Sequence, residues 1–201
     1  MKETVLCSVA DLFLKYGVRS VSMDDIARNQ GISKKTIYQY FTDKNDLVKQ
    51  VTTMILDERM KEYEGNTLRA NNAIDELYSI SKLMRKHFGE LNPSLMYDVQ
   101  KYHPQAWDLF LKHENEVVYH SVIDNLKRGI KEGYFRKDIN INILAKMRVE
   151  QIHLSFDERL FPKDEFNFTE VQIQLFDHFV HGVLTKSGLE LYKNYQKQND
   201  E

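Results

Sequence analysis

Apolar residues return every three or four positions along nearly the whole chain, and a glycine stands where several of these runs stop. In the first run Val5, Leu6, Val9, Leu12, Phe13 and Tyr16 share one face of a 3.6-residue repeat, and Gly17 follows directly. A strand needs side chains that alternate, so this period commits its segment to an amphipathic helix. The pattern recurs over about 22–30, closed by Gly31, over 33–41, and from Asp43 through Leu47, Val51, Met54 and Ile55 towards Tyr63. It continues over about 70–90, in a short piece after Pro93, from Pro104 to about 131 with Gly133 as the stop, and over about 140–157 and 168–197. Asn92-Pro93 and His103-Pro104 mark boundaries, because the residue before proline avoids the α region and proline suits a first turn. Only 8 Gly and 3 Pro in 201 residues leave little for the tight turns of a β-sandwich or barrel. The expected fold class is therefore all-α, with about nine helices and no internal repeat.

An apolar fraction of 42% is enough for a sizeable core and excludes disordered and low-complexity classes. Cys7 is the one cysteine, which excludes an internal disulfide or a thiolate-rich zinc site and fits a reducing compartment. The periodicity places it in a buried or helix-packed position on the first helix. Glu3 and Asp11 interrupt the N-terminal apolar stretch, so no signal peptide is read there, and no run of 18 apolar residues occurs. A cytoplasmic protein is expected. The net charge of −2 speaks against a strongly basic nucleic-acid binder, but residues 1–50 carry 8 Lys/Arg against 6 Asp/Glu and residues 51–201 carry 20 against 24. The positive excess thus lies at the N-terminal end.

The segment Ser22 to Phe41 is where the sequence becomes specific. Two short helices cross steeply around a tight turn only if the contact is small, the turn residue accepts positive φ, and flanking positions supply apolar wedges. Ala27, Gly31 and the trio Ile26, Ile32 and Ile37 meet these needs at the required offsets. Ser22 and Ser33 stand as N-caps, and Asp24 and Asp25 fall in a first turn. The second helix is then free to present Lys34, Lys35, Thr36, Gln39 and Tyr40 to a major groove.

These features, with the first helix ending at Tyr16-Gly17, the run Val21 to Ala27, Thr36-Ile37-Tyr38-Gln39-Tyr40-Phe41 and Asp43-Lys44-Asn45-Asp46-Leu47, resemble the DNA-binding domain of the TetR (tetracycline-repressor) family of bacterial transcriptional regulators. The likeness runs over residues 4–50. It implies a helix-turn-helix DNA-binding domain over 1–46 and a helical ligand-sensing and dimerisation domain over 47–201. It implies a ligand-responsive regulator, a repressor in most of the family, that binds a palindromic operator in double-stranded DNA as a homodimer; the alternative is a helical small-molecule binding protein with a non-functional helix-turn-helix. The DNA-binding residues it implies are Ser22, Ser33, Lys34, Lys35, Thr36, Tyr38, Gln39, Tyr40 and Lys44. Ser33 and Thr36 suit phosphate, as does at least one of the phenols of Tyr38 and Tyr40, and Lys44 resembles the family lysine that grips the backbone. Lys34, Lys35 and Gln39 suit base edges, with a pair of solvated surface charges as the alternative for the two lysines. Lys35 stands where many members have a small residue, so extra charge or extra reach enters the groove here.

A single helix-turn-helix offers few base contacts, so two-fold symmetry is expected. Helices about 140–157 and 168–197 are apolar on more than one stripe and are the expected homodimer surface. The middle helices, about 70–131, would frame the pocket of a small-molecule effector, with Met84, Phe88, Tyr97, Tyr102, Trp107, Phe110, His113, Met147 and Gln151 as lining candidates and an ordinary core as the alternative. Glu150-x-x-His153 lacks the second unit that a di-iron bundle needs, and His178-x-x-His181 lacks a third ligand. No phosphate loop, nucleophile elbow or zinc-protease motif occurs. No cofactor, metal or catalytic residue is expected, and the chain is not read as an enzyme.

Overall fold

The computed structural model describes residues 1–89, 92 and 94–197, and within them every named element is helical. The elements are α1 (Lys2–Tyr16), α2 (Met23–Gln30), α3 (Lys34–Tyr40), α4 (Lys44–Arg69), α5 (Ala73–Gly89), α6 (Leu95–Tyr102), α7 (Pro104–His113), a π-helical turn (Glu114–Val118), α8 (Tyr119–Glu132), α9 (Ile141–Leu154), α10 (Phe168–Val183) and α11 (Lys186–Lys197). The long helix read from Pro104 to about 131 is the run α7, π turn, α8. The expected helix 168–197 is corrected to two helices. Leu184 is extended at φ −74 and ψ 144 and forms an isolated bridge with Phe135, while Thr185 N–H donates to Tyr134 O at 2.8 Å. That backbone pairing, set by residues 50 positions upstream, leaves no periodic trace in the helix sequence.

The chain divides into two compact units: residues 1–60 with 90–113, and residues 61–89 with 114–201. In the first, α1 buries Val5, Val9 and Phe13, a stripe at four-residue spacing, against Ile26 and Ala27 of α2, Ile37 of α3, and Leu47, Val48 and Val51 of α4. Leu95, Val99 and Ala106 of α6 and α7 complete that core. Cys7 lies two residues from Val5, about 200° round the helix, and is exposed, which corrects the expectation that it is buried.

In the second unit α5 packs against α8, α10 and α11 around Ile74, Leu77, Leu126, Phe135, Phe176, Phe179 and Val180. Phe135 is fully buried and lies over Gly129 of α8, whose missing side chain is what admits the ring: a Cβ there would overlap it. Val171, Phe176, Phe179, Val180 and Val183 of α10 are all buried within this unit, so its own core accounts for most of the apolar content of that helix. On α9 Ile143, Met147 and Leu154 are 63%, 40% and 43% exposed and share one stripe at i, i+4 and i+11.

Candidate nucleic-acid interface

Local chemistry fixes both helices of the motif. Ser22 caps α2 through a reciprocal pair: Asp25 N–H donates to Ser22 Oγ at 3.2 Å, and Ser22 N–H donates to Asp25 Oδ2 at 2.9 Å. The Ser22 hydroxyl, which donates to Asp25 Oδ2 at 2.6 Å, and then the Ser22 N–H lower the Asp25 carboxyl pKa, and Arg28, 2.7 Å away, adds to the effect. Gly31 closes α2 in the left-handed region at φ 64, and Ile32 N–H donates to Ala27 O at 3.1 Å. The chain then turns directly into α3, where Thr36 N–H donates to Ser33 Oγ at 3.1 Å. Ile26 and Ile37 are both fully buried and hold the crossing.

With Ile37 pointing inward, α3 turns Lys34, Lys35, Tyr38 and Gln39 to solvent, and Tyr38 is 45% exposed. Ser22 and Ser33 are also exposed, whereas Thr36 and Tyr40 are half-buried. Tyr40 meets Phe41 edge to face with centroids 6.3 Å apart, so it serves packing and Tyr38 is the outward phenol. Lys34 Nζ lies 3.0 Å from Asp24 Oδ2, and this carboxylate raises the lysine pKa.

Lys44 opens α4 and is half-buried. Burial lowers its pKa, while the carboxylates of Asp98 and Asp25 pull it up. Asp98 of α6 is itself buried, and His103 at the end of α6 places Nδ1 2.7 Å from Asn45 Oδ1. Burial, then the Lys44 charge, lower the His103 pKa against the pull of Asp98. Sequence reasoning missed Asp98 and His103, because nothing in the spacing of α6 shows that it meets the start of α4.

The nine effector-pocket candidates fall in both units. In the first, Trp107 stacks on Phe110 with centroids 5.1 Å apart, Tyr97 and Tyr102 take Lys101 over their rings, and His113 is pushed below its ordinary pKa by burial and then by Arg59. In the second, Phe88 packs edge-on against Phe168, Met84 Sδ is 3.9 Å from Arg148 Nη2, Gln151 is buried, and Met147 is on the exposed stripe of α9. Arg148 is only 4% exposed and lies over the Phe176 ring at 5.2 Å. Burial, countered by the Glu114 charge, lowers its guanidinium pKa to about 10. An arginine on a helix reads as solvent-facing in sequence, so its burial was not legible. Among the described residues no group of three His, Cys, Asp or Glu side chains is placed to hold a metal ion, and no helix is long and apolar enough to cross a membrane.

An N-terminal helix-turn-helix with an outward, cationic second helix defines a DNA-binding transcriptional regulator. Comparison with known proteins agrees: residues 9–51 match the sequence profile of bacterial regulatory proteins of the tetR family. Over 189 residues the chain is 26% identical to the HTH-type transcriptional regulator YvaF of Bacillus subtilis, covering 91% of this chain and 95% of that one. It is 24% identical over 140 residues to the HTH-type transcriptional repressor KstR2 of Mycobacterium tuberculosis, covering 68% and 70%. In fold it is similar to a transcriptional regulator from Saccharomonospora viridis in complex with choline, with a TM-score of 0.73 at 18% identity over 92% of this chain and 98% of that one. Residues 9–51 thus have the sequence of a tetR-family helix-turn-helix domain, and over most of its length the chain is similar to helix-turn-helix transcriptional regulators.

Proposed function

We propose that the chain is a ligand-responsive repressor, working in the cytoplasm, that binds a palindromic operator as a homodimer and is not a catalyst. Residues 1–46 form the DNA-binding domain, and residues 47–201 the sensing and dimerisation domain. The observation that carries this reading is the division of labour on α3: Ile37 is fully buried while Lys34, Lys35, Tyr38 and Gln39 face solvent. A helix serving only the core would not keep two lysines, a glutamine and a phenol on one open face beside two exposed serines that cap α2 and α3.

In this reading Tyr38, Ser22, Ser33, Thr36 and Lys44 contact phosphate, and Lys34, Lys35 and Gln39 face base edges. Dimerisation supplies the second half-site, about 34 Å from the first. The exposed Ile143, Met147 and Leu154 stripe of α9 supports a dimer surface on that helix, since it gives apolar side chains something to bury against. An effector acts by binding better to a form whose two recognition helices no longer match successive grooves.

The test is a double variant, Tyr38→Phe with Lys44→Gln, assayed on the DNA that the wild-type protein selects. Operator affinity should fall by about ten-fold or more while helicity and thermal unfolding stay unchanged. Unchanged affinity would remove both residues from the interface, and loss of folding would make them structural.

A further inference from the structure

The end of α6 and the connection between α1 and α2 together carry two exposed cations on one aromatic ring. Arg19, in that connection, sets its guanidinium 5.4 Å from the centroid of the Tyr102 ring. Lys101 sets its Nζ 5.4 Å from the same centroid and donates to Tyr97 Oη at 2.9 Å. Arg19, Lys101 and Tyr102 are all exposed, and all four residues belong to the first unit.

Two like charges at that distance from one ring are no more than about 11 Å apart, and they repel each other across an open surface. A helix end accounts for one of them, since a lysine in the last turn of α6 suits the negative end of the helix. It does not account for Arg19, which comes from another element and adds repulsion. The contacts of these cations are phenols and ring faces, which hold a charge in place without cancelling it. Both side chains are thus already positioned, so an arriving anion has less freedom to take from them.

The patch adjoins the edge already assigned to DNA. Arg19 is three residues before Ser22, the cap of α2. Tyr102 is followed by His103, whose Nδ1 lies 2.7 Å from Asn45 Oδ1, and Asn45 is the chain neighbour of Lys44. Ser22 and Lys44 are two of the phosphate contacts of the proposed function. Asp98, the acid of α6, is buried and acts on Lys44 and His103.

We propose that Arg19 and Lys101, held against the Tyr102 ring, grip the phosphate backbone of double-stranded DNA just outside the base pairs that α3 faces. The proposal rests on the reading of the chain as a sequence-specific DNA-binding regulator and adds a contact from α6, beyond the helix-turn-helix. One strand of B-DNA carries a phosphate per about 3.4 Å of helix axis, so two cations up to about 11 Å apart suit phosphates of a single strand. Such contacts read no base, so they lengthen the footprint without changing the preferred sequence.

The test uses the full chain and two duplexes that carry the same selected site. The short one ends at the site, and the long one continues at each end for one helical turn, about 10 bp, of unrelated sequence. Fluorescence anisotropy over a series of salt concentrations gives the affinity and its salt slope for both. The wild-type protein should bind the long duplex about ten-fold more tightly and with the steeper slope. Arg19→Gln with Lys101→Gln should bind the long duplex no better than the short one, with the slope on the long duplex lower by about 1.8 for two lost contacts. The sequence it selects should stay the same. Arg19→Lys with Lys101→Arg keeps both charges and should retain most of the advantage. Both double variants alter exposed side chains, and their urea unfolding should match the wild type.

Sequence-selective binding by the wild-type protein with no gain from the flanks overturns this contact and leaves the regulator standing. A gain that survives the loss of both cations overturns it equally. Binding that prefers no sequence, yet weakens when Arg19 and Lys101 are lost, removes the regulator and leaves the two side chains as phosphate contacts.

Discussion

Lys34 Nζ lies 3.0 Å from Asp24 Oδ2, so the first residue of the recognition helix is tied across the turn to the first turn of α2. Both side chains are exposed, and the pair competes with DNA twice: it occupies the ammonium and places a carboxylate beside the groove-facing surface. The relationship gives α3 one committed cation beside the exposed Lys35.

Removing the carboxylate should therefore strengthen DNA binding. Asp24→Asn is expected to raise affinity by a few-fold and to steepen the dependence of log K on log salt, because the Lys34 charge is then released to the groove. Lys34→Ala should do the reverse, flattening the slope through the loss of one cation from the interface. Fluorescence anisotropy at a series of salt concentrations checks both, and an unchanged slope in Lys34→Ala would remove that lysine from the interface.

Tyr38 and Tyr40 should separate cleanly. Tyr38→Phe deletes an outward hydroxyl and should cost roughly 1 kcal/mol of DNA affinity with no change in unfolding. Tyr40→Ala removes a half-buried ring that packs on Phe41, and should lower stability by about 1–3 kcal/mol before any effect on DNA is read. Urea unfolding beside a binding assay tests the pair, and the opposite assignment would reverse the two roles.

Two glycines predict losses from different causes. Gly31 sits at φ 64 with nothing within 4 Å of an added Cβ, so Gly31→Ala should cost about 1 kcal/mol, all of it backbone strain. At Gly129 the backbone is ordinary but a Cβ would enter the Phe135 ring, so Gly129→Ala should cost about 1–3 kcal/mol or more through overpacking. The companion change Phe135→Leu should recover part of the second loss and none of the first. Thermal unfolding of the four variants decides it.

Stability should fall on acidification through His103 and His113. Both have folded pKa values lowered from the ordinary 6.5, in each case first by burial, then by Lys44 at His103 and by Arg59 at His113. A lowered histidine pKa means that the unfolded chain takes up the proton first. The stability these neutral rings support is thus complete above the unfolded value and is lost as pH falls from there through the folded value. The urea midpoint should drop as pH falls below the unfolded histidine value of 6.5, and His103→Gln with His113→Gln should flatten that fall. A slope indifferent to both substitutions would place the titration elsewhere.

What sequence made legible here is what short-range chemistry decides. The caps at Ser22 and Ser33, the left-handed Gly31 and the wedge formed by Ile26 and Ile37 all act within a few residues, so spacing alone exposes them. The end of α10 at Leu184 was not legible, because its cause is a pairing with Phe135 from another part of the chain. The same holds for the tie of Lys34 to Asp24, for Asp98 against Lys44 and for the burial of Arg148: each depends on which helix arrives opposite. Periodicity says that a face is apolar and not what will cover it, which is why Ile143 and Phe176 looked alike in sequence and differ fully in exposure, at 63% and 5%.

The central claim is sequence-specific DNA binding by a two-fold dimer through residues 22–44. Selection of bound duplexes from a random pool, run at two salt concentrations, tests it most directly. The account predicts enrichment of an inverted repeat with half-sites about one helical turn apart, retained at the higher salt. Weak binding with no enriched sequence, lost as salt rises, would contradict it and leave only attraction between Lys34, Lys35 and the phosphate backbone.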